Sequence, residues 1–164
     1  MGWKYTSETF QISAGVLEGA PNTFEQTTIN LNLDSLSREI LIINYCDLNV
    51  SPADLVAGFA TTSTANLSDA SLTSTSLLSN SRVIAVATDV VEYDGVAAVS
   101  TSNAEPVFGN YGEAPLFITA TDDLFLSVKG NGNAQAKGAQ VRIWARRARA
   151  DADTYAAILT SQFN

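Results

Sequence analysis

The chain has 164 residues, 46% of them hydrophobic and only 16% charged, with 16 serines and 16 threonines filling the difference. It carries 9 basic and 17 acidic residues, for a net charge of −8, with one cysteine and no histidine. That excludes an imidazole general base, a Ser-His-Asp or Cys-His pair and a histidine metal site, and a lone Cys46 makes neither an internal disulfide nor a thiolate zinc cluster.

The length fits one domain, residues 1–164, large enough to bury a core without disulfide or metal staples. Met1 to Ile12 lacks the basic start and apolar run of a signal peptide. No 18-residue apolar stretch exists to span a membrane.

Along the chain the apolar spacing is mostly period two, the mark of half-buried strands. Trp3 and Tyr5, then Phe10 and Ile12, alternate with polar neighbours. Gly15, Gly19 and Pro21 punctuate a loop. Ile29, Leu31 and Leu33 predict a second strand. Asp34-Ser35 begins a turn. Glu39 to Leu48 reads as a third strand, and its run Ile40-Leu41-Ile42-Ile43 suits a central strand covered on both faces. Ser51-Pro52 ends it, since proline cannot donate to the ladder.

From Thr61 to Ser81, 12 of 21 residues are Ser or Thr, and Leu67, Leu72 and Leu77 recur at a spacing that fits neither helix nor strand. This segment reads as a long surface excursion with a strand or two inside it. Arg82 to Val91 alternates as a strand. A Gly/Asn/Pro-rich segment, Asn103 to Pro115, follows. Leu116 to Ala120 and Leu124 to Lys129 are strands around the turn Thr121-Asp122-Asp123. Gly130-Asn131-Gly132-Asn133 opens a tip that runs to Gly138. Ala139 to Ala148 is the closing strand. Asp151 or Asp153 can cap a short helix, about 151–161, with Tyr155, Ile158 and Leu159 on one stripe. About eight short strands and one terminal helix predict an all-β, antiparallel β-sandwich, and the uneven loops favour a single jelly roll.

Few residues suggest chemistry. Asp122 and Asp123, as neighbours, point to opposite faces of a strand and read as a polar turn. Asp89, Glu92 and Asp94 lack the dense ligand spacing of a calcium loop. The glycine-asparagine tip lacks the Gly-Lys-Ser/Thr of a phosphate loop. Cys46 sits in the most apolar strand, without a base to activate it. No cofactor, metal or catalytic set is expected, and the chain is expected not to be an enzyme.

The unusual charge feature is basic. Lys137, Arg142, Arg146, Arg147 and Arg149 lie within thirteen positions with no acid among them, leaving four basic residues against 17 acidic ones elsewhere. Alternation places Arg142, Trp144 and Arg146 on one face. Such an edge could contact phosphate, since arginine pairs phosphate and stacks on bases. It could equally meet the acidic surface of a second copy, or be a solvated face paired with Asp151 and Asp153. The acidic balance argues against a dedicated nucleic-acid binder.

Three segments together resemble small single jelly-roll coat proteins of viruses, including marine and phage-like forms. They are Trp3-Lys4-Tyr5, the run Leu33-Asp34-Ser35-Leu36-Ser37-Arg38-Glu39-Ile40-Leu41-Ile42-Ile43, and the stretch from Pro115 through Arg147 to the terminal helix. The resemblance is architectural and implies a capsid subunit that assembles into trimers or pentamers and then a shell, in a virion built in the host cytoplasm, with other virion proteins as further partners. It departs from many such coats in lacking a basic amino-terminal arm, having only Lys4 there. Genome contact would then fall to the arginine edge or to a separate protein. A competing expectation is a non-enzymatic binding module, either carbohydrate-binding or a trimeric receptor-binding head, using Trp3, Trp144, Tyr93 and Tyr111.

Overall fold

The computed structural model describes residues 2–103, 107–108 and 114–163. Eleven strands and one helix are found among them: β1 Trp3–Tyr5, β2 Phe10–Leu17, β3 Glu25–Asn30, β4 Glu39–Val50, β5 Thr61–Ser68, β6 Val83–Tyr93, β7 Ala98–Asn103, β8 Val107–Phe108, β9 Phe117–Thr119, β10 Asp123–Asn131, β11 Gly138–Ala150 and α1 Ala152–Phe163.

The strands form two antiparallel sheets. In the first, β11 and β4 are central. The strands β1 and β2 lie end to end along one side of β11, and β8 and β9 lie along the far side of β4. The second has the order β3-β10-β5-β6-β7. The chain passes between sheets from β2 to β3, β3 to β4, β4 to β5, β9 to β10 and β10 to β11. This alternation wraps the strands into a jelly-roll sandwich, the expected fold class.

Between the sheets lies one core. Leu41, Ile43, Cys46 and Leu48 of β4 meet Val141, Ile143 and Ala145 of β11, and across the sandwich Ala65, Leu67, Leu124, Leu126 and Val128. The unbroken apolar run of β4 has a second partner. Ile40 and Ile42 point outward and pack with Ala148, Ala150, Trp3, Ile118 and the α1 stripe Tyr155, Ile158 and Leu159. Asp151 caps α1 by accepting the Thr154 N–H at 2.8 Å. A β-bulge at Asn44, opposite Trp144 and Ala145, resets the alternation so that Cys46 and Leu48 return to the core.

Gly15, expected in a loop, lies within β2 opposite Gln140, and two further sequence expectations change. The strand expected inside the Thr61 to Ser81 excursion is β5, but it lies between β10 and β6 as a buried central strand rather than at the surface. Its hydroxyls are buried with partners: Thr61 donates to the Asp54 carbonyl and Ser63 to the Ser51 carbonyl. Polar residues satisfied in this way show no hydrophobic alternation. The remaining loop folds back on the sheet through two side-chain amides. Asn66 donates to the Ser76 carbonyl and accepts its N–H, both at 2.7 Å, while Gln26 accepts the Leu72 N–H. Second, Leu31 and Leu33 are buried but lie beyond the end of β3. The Leu33 N–H is taken by the Asp122 carboxylate at 2.6 Å rather than by a strand. The strand β7 had no counterpart in the sequence reading, and most of Asn103 to Pro115 lies outside the described residues.

Candidate functional site

The basic cluster divides three ways. Arg142, Trp144 and Arg146 share the outer face of the first sheet, as alternation requires, beside Tyr45 and Asp47 of β4 and Gln11 and Ser13 of β2. The Trp144 ring lies 4.3 Å from that of Tyr45, tilted by 52°. The Arg146 guanidinium sits 3.8 Å from the centre of the Tyr5 ring and donates to the Ser7 carbonyl. Arg142 is exposed and, among the described residues, reaches only Ser13 Oγ at 3.4 Å.

Arg147 and Arg149 point the other way. Arg147 pairs with Glu39 at 2.8 Å and donates to the Leu31 and Asn32 carbonyls, so it holds the β3–β4 connection in place. Arg149 is exposed opposite Lys4. Asp151 and Asp153 form no ion pair with these arginines among the described residues. Asp151 caps the helix instead.

Lys137 is not part of the arginine edge, which corrects its place among the interface and phosphate-contact candidates. It is buried, with its ammonium 2.6 Å from Asp54 and 2.7 Å from the Pro52 carbonyl. A lysine engaged in this way offers no free charge to a surface ligand.

The Lys137–Asp54 pair belongs to a polar network that fastens one end of the sandwich. The connections β2–β3, β4–β5, β6–β7 and β10–β11 all turn at this end, as the strand registers dictate. Asp54 accepts the N–H groups of Ala134 and Gln135, and the hydrogen bond from Lys137 is the main reason its carboxyl is held below the ordinary 3.8. Glu18, almost fully buried, accepts the N–H groups of Gly130 and Lys137 at 2.6 and 2.7 Å. Asn133 is bonded to Asn22, Asp54 and the Thr62 carbonyl. Gly132, at φ 72°, lets the tip pass the Ala60 carbonyl, which a Cβ would approach to 2.9 Å.

At this end stand exposed apolar side chains, of which the sequence singled out only Tyr93. Leu17, Leu55, Phe59, Tyr93, Val96 and Val99 account for six of the ten exposed large hydrophobic side chains among the described residues, with Leu55 79% and Val96 91% exposed. For Phe59 and Val96 the sequence signal was an apolar residue inside a turn segment, Gly58-Phe59 and Asp94-Gly95-Val96.

The opposite end has a different network. Asp69 pairs with Arg82 at 2.7 Å and accepts from Gln162, which also bonds Thr119 and the Ala120 N–H. This ties the last turn of α1 to both sheets. Burial pushes the Asp69 carboxyl above its ordinary value, and Arg82 acts against that rise. Burial likewise pushes the Cys46 thiol up to about 12.

Of the aromatic stacking candidates, Trp3 packs under α1, Trp144 is half-buried beside Tyr45, and Tyr93 donates to the Gly95 carbonyl. Tyr111 lies outside the described residues. A shallow polar trough runs beside Trp144, lined by Ser13, Gly15, Asp47, Asn49, Gln140 and Arg142. Among the described residues no three His, Cys, Asp or Glu side chains are grouped to hold a metal ion. No helix among them is long and apolar enough to cross a membrane.

The sequence matches no family model and no curated protein. Among solved structures it is similar to a chain titled Desmodium yellow mottle tymovirus, at 8% identity, over 85% of this chain and 88% of that one, with a TM-score of 0.28. At that score the likeness lends no weight to the reading that follows, which stands on the chain's own geometry.

Proposed function

We propose that this chain is a non-enzymatic structural subunit that assembles with copies of itself into closed symmetric oligomers, trimers or pentamers, and then a shell, as viral coat subunits do. The observation that carries this reading is the loop end of the sandwich. There Leu17, Leu55 and Phe59 stand in water around the connections fastened by the Lys137, Asp54, Glu18 and Asn133 network, and Tyr93, Val96 and Val99 stand in water on the β6–β7 hairpin at the same end. Apolar side chains exposed together at one end of a sandwich are costly unless a partner covers them. Exposed Arg142 and Arg149, set against an acidic remainder, supply charge complementarity between copies.

Size-exclusion chromatography with light scattering tests the reading on the native chain and on a Leu55→Ser, Phe59→Ser double variant. The native chain is expected to run as oligomers that weaken as salt rises, and the variant as smaller species. A native chain that stays at 17.4 kDa at every concentration would contradict it.

A second reading is favoured by one feature. The trough lined by Arg142, Asp47, Asn49 and Gln140 combines an exposed arginine, a carboxylate and two amides, polar groups that suit the hydroxyls of a sugar. A glycan array with no bound glycan would remove it.

A further inference from the structure

The outer edge of β7 is unpaired among the described residues, at the end of the second sheet. From Glu92 to Thr101 every residue of the β6–β7 hairpin is exposed, so beyond Val91 neither face of the hairpin rests on the sandwich. An isolated two-stranded hairpin is marginal in water and gains stability from a third strand. Edge strands that must stay unpaired are blunted by charge, proline or a bulge. Here Ala98–Asn103 reads AVSTSN, with no charged residue and no proline, and its pairing with β6 runs in unbroken register.

The hairpin also fixes which backbone groups face outward. Asp94 donates its N–H to the Ala97 carbonyl across the turn, where Gly95 sits at φ 95°. In an antiparallel ladder bonded and non-bonded pairs alternate. Val99 and Thr101 therefore bond inward to Glu92 and Val90, while Ala98, Ser100 and Ser102 turn their N–H and C=O groups away from β6.

We propose that this edge pairs antiparallel with the same edge of a second copy about a two-fold axis, joining two five-stranded sheets into one of ten strands. This rests on the reading of the chain as a self-assembling subunit and names one of its contacts. Three observations select a second copy as the occupant. The outward donors and acceptors at Ala98, Ser100 and Ser102 are self-complementary under a two-fold rotation. The edge is uncharged in a chain of net charge −8, so copies can approach here without direct repulsion. The flanking Val96 and Val99, 91% and 60% exposed, lie where a paired copy would shield them.

The test uses two variants of the full chain in sedimentation experiments across a range of concentrations. Ser100→Pro removes an outward N–H while sparing the inward ladder, a position where edge strands accept proline. Val99→Lys sets a charge on the edge and faces Glu92 across the hairpin, so the hairpin itself is spared. Each variant is expected to weaken self-association by about tenfold or more, Ser100→Pro because a two-fold contact loses the donor twice and Val99→Lys because it brings two like charges to the contact, with circular dichroism unchanged. If Ser100→Pro perturbs the fold, Val99→Lys decides. Native association with both folded variants associating equally well would overturn the edge contact and leave the assembly reading intact. A native chain that never associates would overturn both.

Discussion

Replacing Ile42 by alanine probes the outer cover of β4. Ile42 is fully buried, yet it points away from the sandwich core and toward α1. The change removes three carbon atoms. At about 0.8 kcal/mol per methylene the transfer cost is about 2.4 kcal/mol, and a cavity between β4 and α1 that cannot fully collapse raises it to about 3–4 kcal/mol. The neighbouring Ile43→Ala, equally buried but facing the inter-sheet core, should cost about the same. For a chain of this size that is a fall of about 10 °C in Tm. Urea unfolding followed by circular dichroism and tryptophan fluorescence measures both, with Trp3 beside the helix as a local reporter. If Ile43→Ala carries its full cost and Ile42→Ala costs less than about 1 kcal/mol, the helix does not cover that face and the two-sided account of β4 is wrong.

Three further outcomes follow from single residues. The Asp54 carboxyl is held below 3.8, chiefly by Lys137, so its stabilisation is present above that pH and lost as pH falls through the lower folded value. The gap in urea midpoint between the native chain and Asp54→Asn should therefore be widest near neutral pH and close in strong acid, and a gap independent of pH would refute this. Cys46 should resist thiol reagents at pH 8 in the folded chain and react fully in urea, because its thiol is buried and pushed up to about 12. Arg147→Ala should destabilise by about 1–2 kcal/mol, since it strips hydrogen bonds from the Leu31 and Asn32 carbonyls. The exposed Arg142→Ala should change stability by less than about 0.5 kcal/mol, and equal costs in thermal unfolding would undo the distinction.

The sandwich was legible in the sequence because apolar alternation is written into β2, β6, β10 and β11, and because the run Ile40 to Ile43 requires cover on both faces. The burial of the strand within the Ser/Thr-rich stretch was not legible. Thr61, Ser63 and Asn66 are buried by satisfying loop carbonyls and amides, and hydrogen-bond partners far along the chain leave no periodic trace. The same holds for Lys137. Its place within the basic cluster suggested an exposed charge, but its partner Asp54 lies 83 residues away. Arg142, Trp144 and Arg146 were correctly grouped because alternation along one strand suffices to group them. The apolar loop end was missed because single residues in separate turns become a surface only once the jelly roll gathers four connections at one end.

The account's central claim is that this sandwich exists to meet copies of itself. Sedimentation velocity of the native chain over a wide concentration range tests that most directly. The account predicts discrete species at two, three or five times 17.4 kDa, the first through the β7 edge, and larger closed particles as concentration rises. A single 17.4 kDa species throughout would contradict it.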